Sequence, residues 1–181
     1  MSKSLKHYIQ AIAGITSGLV LGLILFLNVG TTSYGNYEAL SYSISNGEVC
    51  ITDCDTSVTS IEIPKEIDGY PVTSIGQYAF YNCGSLKSVS IPASVASIGV
   101  WAFRDCSSLE RVNITDVESW CAISFHSDDS NPLYYAENLY INGTQITDLI
   151  IPDGVTCIGD YAFYNCRSLE SVSIPASVTS I

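Results

Sequence analysis

Seven apolar letters recur along the chain at a fixed interval, and that interval constrains the fold more than any other feature. Ile75, Ala79, Phe80, Cys83, Leu86, Val89 and Ile91 return as Ile98, Ala102, Phe103, Cys106, Leu109, Val112 and Ile114, each 23 residues further on. They return again as Ile158, Ala162, Phe163, Cys166, Leu169, Val172 and Ile174, a further 60 residues along. The polar letters between them drift. A catalytic motif is needed once, whereas fixed apolar letters at a period in the twenties mark a solenoid whose units bury their apolar faces only against their neighbours. The 60 divides into one period of 23 and a stretch of 37 from Ile114 to Ile150, so one coil is enlarged by fourteen residues.

Each unit divides into three pieces. "SVSIP", at Ser88–Pro92 and again at Ser171–Pro175, alternates β-branched residues with Ser as a half-buried strand does. Pro ends it because it has no N–H to give to a continuing ladder. "SVASIG" is a second short extended run that stops at Gly99, and "VWAFRDC" places Ala102, Phe103 and Cys106 on one side of a single helical turn. The expected fold is a β-rich solenoid with short strands and a single helical turn per coil.

"IPASVASIGVWAFRDCSSLERV" and "IPDGVTCIGDYAFYNCRSLESV" carry a family resemblance. They resemble the pattern IPxSVTSIGxxAFxxCxSLxxV of the BspA-type leucine-rich repeat, a class of bacterial and protist surface proteins, and the likeness runs from Ile61 to Ile181. The resemblance implies an exported, curved or twisted solenoid associated with adhesion and ligand binding. It brings no catalytic or cofactor residues. Three departures stand out: the enlarged unit, Cys157 where Ser74 and Ser97 stand, and "KEIDGYPV", which lengthens the first unit by five residues.

The remainder divides at 1–35, 36–60 and 61–181. Lys3 and Lys6 precede a stretch without charge from Tyr8 to Tyr37, strongly apolar from Ile9 to Val29 and followed by small residues. This is the pattern of a signal peptide cleaved after Ser33 or Gly35, or of a retained signal anchor just long enough to span a bilayer. Either places the body outside the cytoplasm, with membrane contact only through that segment. In 36–60, Tyr42 and Ile44 alternate up to Asn46-Gly47, and Val49 and Ile51 alternate back, a β-hairpin suited to cap the solenoid. The unit at 114–150 offers a capping box at Thr115 and Glu118, a short helix burying Trp120, an exposed turn at "SDDSNP" and a hairpin about Asn142-Gly143. The last repeat, 174–181, stops before its Ala-Phe turn, which suggests a fragment of a longer protein.

The chemistry-bearing residues are sparse. The chain carries a formal charge of −11, and its body holds five Lys and Arg against eighteen acids, which disfavours nucleic acid as a partner. His126, Asp128 and Asp129 are the one cluster that could pass for a metal or acid–base site, but they have no recognised ligand spacing and read as a solvated loop. Asp53 and Asp55 read as a cap loop. No nucleophile elbow, triad or phosphate-cradling loop is present, so no enzymatic activity and no cofactor are expected. Asn113-Ile-Thr115 and Asn142-Gly-Thr144 match the glycosylation sequon, which matters only in a eukaryotic host. Seven cysteines cannot all pair with one another. Cys83, Cys106 and Cys166 hold one repeat slot with parallel Cβ vectors, a poor disulfide geometry, and read as buried free thiols. Cys50 and Cys54 could pair across a short loop; Cys121 and Cys157 have no evident partner.

Two outward columns remain as a candidate ligand face. Lys87, Glu110 and Glu170, with Ser90, Asn113 and Ser173, fall between the buried letters of the first strand. Tyr78, Trp101 and Tyr161 precede the Ala-Phe pairs. Aromatic rows suit recognition, although such rings also serve to pack one coil on the next. The expected function is an exported, non-enzymatic cell-surface module that binds an extracellular protein or glycan. The alternative is a spacer that presents another domain encoded beyond residue 181.

Overall fold

The computed structural model describes residues 32–181. The leader expected at 1–35 lies outside them up to Thr31, but Ser33–Gly35 belong to the fold as part of the first strand, β1 (Ser33–Tyr37). Among the described residues no helix is long and apolar enough to cross a membrane.

β1 is followed by β2 (Leu40–Ser45) and β3 (Glu48–Cys54) in an antiparallel meander. Asn46 and Gly47 turn the second hairpin at φ 54° and 80°, the pair of left-handed residues that a type I′ turn demands. From β3 onward the ladders are parallel. β4 (Ser60–Glu62) precedes β5 (Glu66–Ile67) and β6 (Tyr70–Ile75), and the five extra residues of the first unit form the β5–β6 hairpin about Asp68-Gly69. β7 (Ser88–Ile91), β8 (Ser97–Ile98) and β9 (Arg111–Ile114) complete the regular coils. One sheet runs β1-β2-β3-β6-β8 and the other β4-β7-β9.

Register explains the fixed letters. Val89 lies opposite Val112, Ile91 opposite Ile114 and Ile75 opposite Ile98, so each buried letter rests on its own copy. The Phe80 and Phe103 rings stack 4.7 Å apart at 8°, the spacing of adjacent strands. Both are fully buried, and full burial of such a ring contributes about 1.5–3 kcal/mol. Gly99 is required because a Cβ there would lie 2.6 Å from the Gln77 backbone nitrogen of the preceding coil.

The Ala-Phe segment is wound more tightly than an α-helical turn. Ala79, Tyr81, Cys83 and Leu86 donate to the carbonyls three residues back. Tyr78 and Asn82 take positive φ, as do Trp101, Asp105, Tyr161 and Asn165 in the other copies. This winding turns alternate N–H groups toward the next coil: Tyr78 donates to Val100, Phe80 to Ala102 and Asn82 to Arg104, at 3.3, 2.8 and 2.9 Å. The turns therefore form a third backbone ladder beside the two sheets.

The enlarged unit interrupts all three. It comprises α1 (Val117–Cys121), β10 (Ser124–Phe125), a 3-10 turn at Asp128–Ser130, α2 (Leu133–Ala136), and the hairpin of β11 (Leu139–Ile141) and β12 (Thr144–Gln145). The first sheet ends at β10 and the second at β11–β12, while β13 (Asp148–Ile150) and β14 (Ser171–Ser173) pair separately. Side chains bridge the seam. Ser127 Oγ and Tyr135 OH accept from the N–H groups of Trp101 and Asp105, at 3.5 and 2.9 Å. On the far side, the Asn131 amide donates to the Tyr161 and Ala162 carbonyls at 2.7 and 3.0 Å, and the Trp120 indole donates to Ala162 at 2.8 Å.

Two local expectations are corrected here. α1 is capped by Asp116, whose carboxylate accepts from the Ser119 N–H at 2.7 Å, not by Thr115. That contact holds the Asp116 carboxyl below its ordinary range. "SDDSNP" is not a solvated turn: Ser130 and Asn131 are fully buried, because Asn131 points inward to bridge the seam.

Candidate functional site

The turn side carries the aromatic column. Tyr78, Trp101 and Tyr161 project from its left-handed positions, 41, 36 and 44 % exposed. Their rings also pack: Tyr78 lies 5.3 Å from Trp101 and 5.7 Å from Tyr81, and the Arg104 guanidinium sits over Trp101 at 4.9 Å. Beyond the seam, Tyr161 meets Tyr164 at 6.0 Å, and Tyr164 stacks on Tyr134 at 5.9 Å. Tyr134 packs on Tyr135, whose hydroxyl holds the Asp105 N–H next to Arg104. Recognition and coil-to-coil packing are therefore compatible here, since each ring is braced by a neighbour and still presents surface. Burial raises the pKa of the Tyr135 phenol, which stays protonated at neutral pH.

Tyr81 and Tyr164 could have been found in the sequence, because both follow the Ala-Phe pair in the same repeat slot. Tyr134 and Tyr135 could not, because the enlarged unit has no repeat letters to align.

The strand-side column is less uniform. Lys87, Glu110 and Glu170 are exposed at equivalent positions, donating their N–H groups to Thr59, Lys87 and Thr147. Asn113 is occupied by the fold: its amide donates to Ser90 Oγ at 3.5 Å, and its carbonyl accepts the Gly143 N–H at 2.8 Å, which ties down the β11–β12 turn. Ser173 lies on β14, across the seam from Ser90 and Asn113. Ser90 and Asn113 line a shallow groove of about 580 Å³ with Pro64 and Pro92.

His126, Asp128 and Asp129 are spent locally. The His126 ring contacts the Ile98 carbonyl at 2.9 Å, Asp128 accepts from the Asp129 N–H, and Asp129 accepts from Ser127 Oγ. Asp55 likewise accepts from the Ser57 N–H within the cap loop. Among the described residues no group of His, Cys, Asp and Glu is placed to hold a metal.

All seven cysteines are free thiols. Cys54 does not close a loop with Cys50; its sulfur donates to the Asp55 carbonyl at 3.7 Å, and the neighbouring Cys83 thiol together with burial pushes the Cys54 thiol upward. Burial pushes Cys106 up to about 12, and its sulfur donates to the Phe80 carbonyl at 3.1 Å. Cys54, Cys106 and Cys121 are core fillers whose thiolate form burial suppresses, whereas Cys166, expected to be buried, is only partly so, and Cys157 is exposed.

A family model of the BspA type leucine rich repeat region matches residues 45–132 and 134–181, in six copies. No curated protein matches the chain. Among solved structures, a leucine rich repeat protein of T. pallidum is 24% identical with a TM-score of 0.50, over 79% of this chain and 72% of its own. That likeness concerns the fold alone. A leucine rich cell surface protein of Faecalibacterium prausnitzii A2-165 is 26% identical with a TM-score of 0.54 over 82% of this chain, which spans 44% of that protein. With repeat letters in register from coil to coil and the family model matching most of its length, the chain belongs to the BspA-type leucine-rich repeat family.

Proposed function

We propose that this chain is a non-enzymatic, surface-displayed binding module that engages an extracellular protein or glycan along the aromatic ridge. The observation that carries this reading is the bracing of exposed rings at Tyr78, Trp101, Tyr161 and Tyr164. A ring already held by its neighbours has little freedom left to lose on binding, and rigid aromatics supply large contact area at low entropic cost. The outer strand column, with Lys87, Glu110, Glu170 and Ser173, flanks the reading as a second face of the same solenoid. Surface display is supported by the charged-then-apolar leader and by the description of the F. prausnitzii neighbour as a cell surface protein. The acidic body argues for ligands other than nucleic acid.

Two tryptophans make the test direct. Trp101 is on the ridge and Trp120 is buried. The protein is screened against immobilised glycans and extracellular matrix proteins, and each hit is titrated by tryptophan fluorescence. A ridge ligand perturbs wild type and not Trp101→Phe, and the combined variant Tyr78→Ser, Trp101→Ser, Tyr161→Ser loses binding while keeping its fold. Hits that survive the triple variant, or an absence of hits, would contradict the ridge and favour the spacer reading.

A further inference from the structure

The first sheet opens into a cleft at the seam. In successive coils the Ile51, Ile75 and Ile98 carbonyls accept from the N–H groups of Gly76, Gly99 and His126. The next acceptor in that series is Phe125 and the next donor is Gly159. Gly159 instead bonds to the Cys121 carbonyl at 2.8 Å, so the ladder is not resumed and β10 is the last strand of its sheet.

The two walls of the cleft are strand edges. Ser124 and His126 give their N–H groups to β8, so the intervening Phe125 turns its N–H and C=O away from it. Opposite, Cys157 bridges to Ser180 through the Thr156 carbonyl and the Ile158 N–H, so its own N–H and C=O face the other way. Between these edges lies a space of about 510 Å³, with Cys121, Ile123, Phe125 and Val155 as its apolar lining. That is within the range of about 300–1,000 Å³ typical of ligand sites. Two exposed carboxylates, Glu118 and Asp160, line it, and no cationic side chain does.

We infer that this cleft receives an extended peptide strand bearing a Lys or Arg side chain, donated by a protein partner. The strand pairs its backbone with the free edges of Phe125 and Cys157, in the manner of β-strand addition, while the cation meets Glu118 and Asp160. The site is separate from the aromatic ridge and does not depend on it.

A fluorescein-labelled peptide of alternating Thr and Val with a central Lys tests this by polarisation, beside one with central Glu and one N-methylated at alternate amides. The Lys peptide should bind at least about tenfold more tightly than the Glu peptide, and N-methylation should weaken it by about tenfold or more. E118Q combined with D160N should bring the Lys and Glu peptides to within about threefold of each other. Saturation with the Lys peptide should also slow alkylation of Cys157, which is exposed in the cleft, while Cys121, raised to about 11 by burial, does not compete. Trp101→Ala should bind as wild type does, which separates this site from the ridge. No binding up to about 1 mM, equal affinity for the Lys and Glu peptides, or an unchanged alkylation rate would overturn the inference.

Discussion

The regular coils and the enlarged unit solve the same problem by different means. Between the first two coils, backbone meets backbone: Tyr78, Phe80 and Asn82 donate to Val100, Ala102 and Arg104, and any sequence that keeps the winding makes those bonds. At the seam the equivalent groups are met by Ser127, Tyr135, Asn131 and Trp120. A periodic interface tolerates drift in its polar letters, whereas a side-chain splice depends on individual residues. The price of the splice is continuity, since the first sheet stops at β10 and leaves a cleft.

The largest difference should appear in the core. Phe103→Ala removes a fully buried ring stacked between coils and should cost about 3–5 kcal/mol in urea unfolding. Its counterpart Phe163 is only half-buried, so Phe163→Ala should cost distinctly less. Equal costs would break the comparison.

Asn131→Leu sharpens it. The change removes the Asn131 amide from the Tyr161 and Ala162 carbonyls, which keep the Tyr164 N–H and the Trp120 indole, and strips the buried Leu133 N–H of its acceptor, at about 1–3 kcal/mol.

Asp116 anchors the near side of the seam. Asp116→Ala should cost about 1 kcal/mol by loss of the cap. Because its folded-state pKa is depressed, the carboxylate stabilises the fold above its unfolded value and ceases to do so as pH falls through the folded one. The gap between wild type and Asp116→Ala, followed by thermal unfolding, should therefore close on acidification below about pH 4. A gap that widened in acid would refute the cap.

The smallest effect belongs to Tyr135→Phe. It leaves the exposed Asp105 N–H to water and should cost about 0.5 kcal/mol. A tyrosine titration curve would register the loss of the Tyr135 phenol, whose pKa burial raises.

Most of the regular architecture was legible in the sequence, because period and register are the same information. A shift of 23 residues puts Val89 beside Val112, and Asn-Gly at 46–47 and 142–143 specifies turns that only left-handed residues close. The repeat slots also picked out Tyr78, Trp101 and Tyr161, which share a left-handed, exposed turn position in their coils. The winding of the Ala-Phe segment was harder to see, since i→i+3 turns and a helical turn bury the same letters. The seam was not legible. Asn131 sits in a stretch of Ser, Asp, Asn and Pro that reads as a solvated loop, and only the fold shows the carbonyls it must reach. The tie between Asn113 and the β11–β12 turn was hidden for the same reason: an outward strand position gives no sign that a hairpin turn will fold back onto it.

Native-state hydrogen exchange on wild type and Asn131→Leu tests the splice most directly, because it reads the opening of each ladder separately. The account predicts faster exchange confined to the stretch beyond the seam, at Ile151, Ile158 and Ala162, with Tyr78, Phe80 and Asn82 protected as before. Equal loss of protection at both sets of amides would show one uniform cooperative stack, and would contradict the claim that side chains join two blocks at this seam.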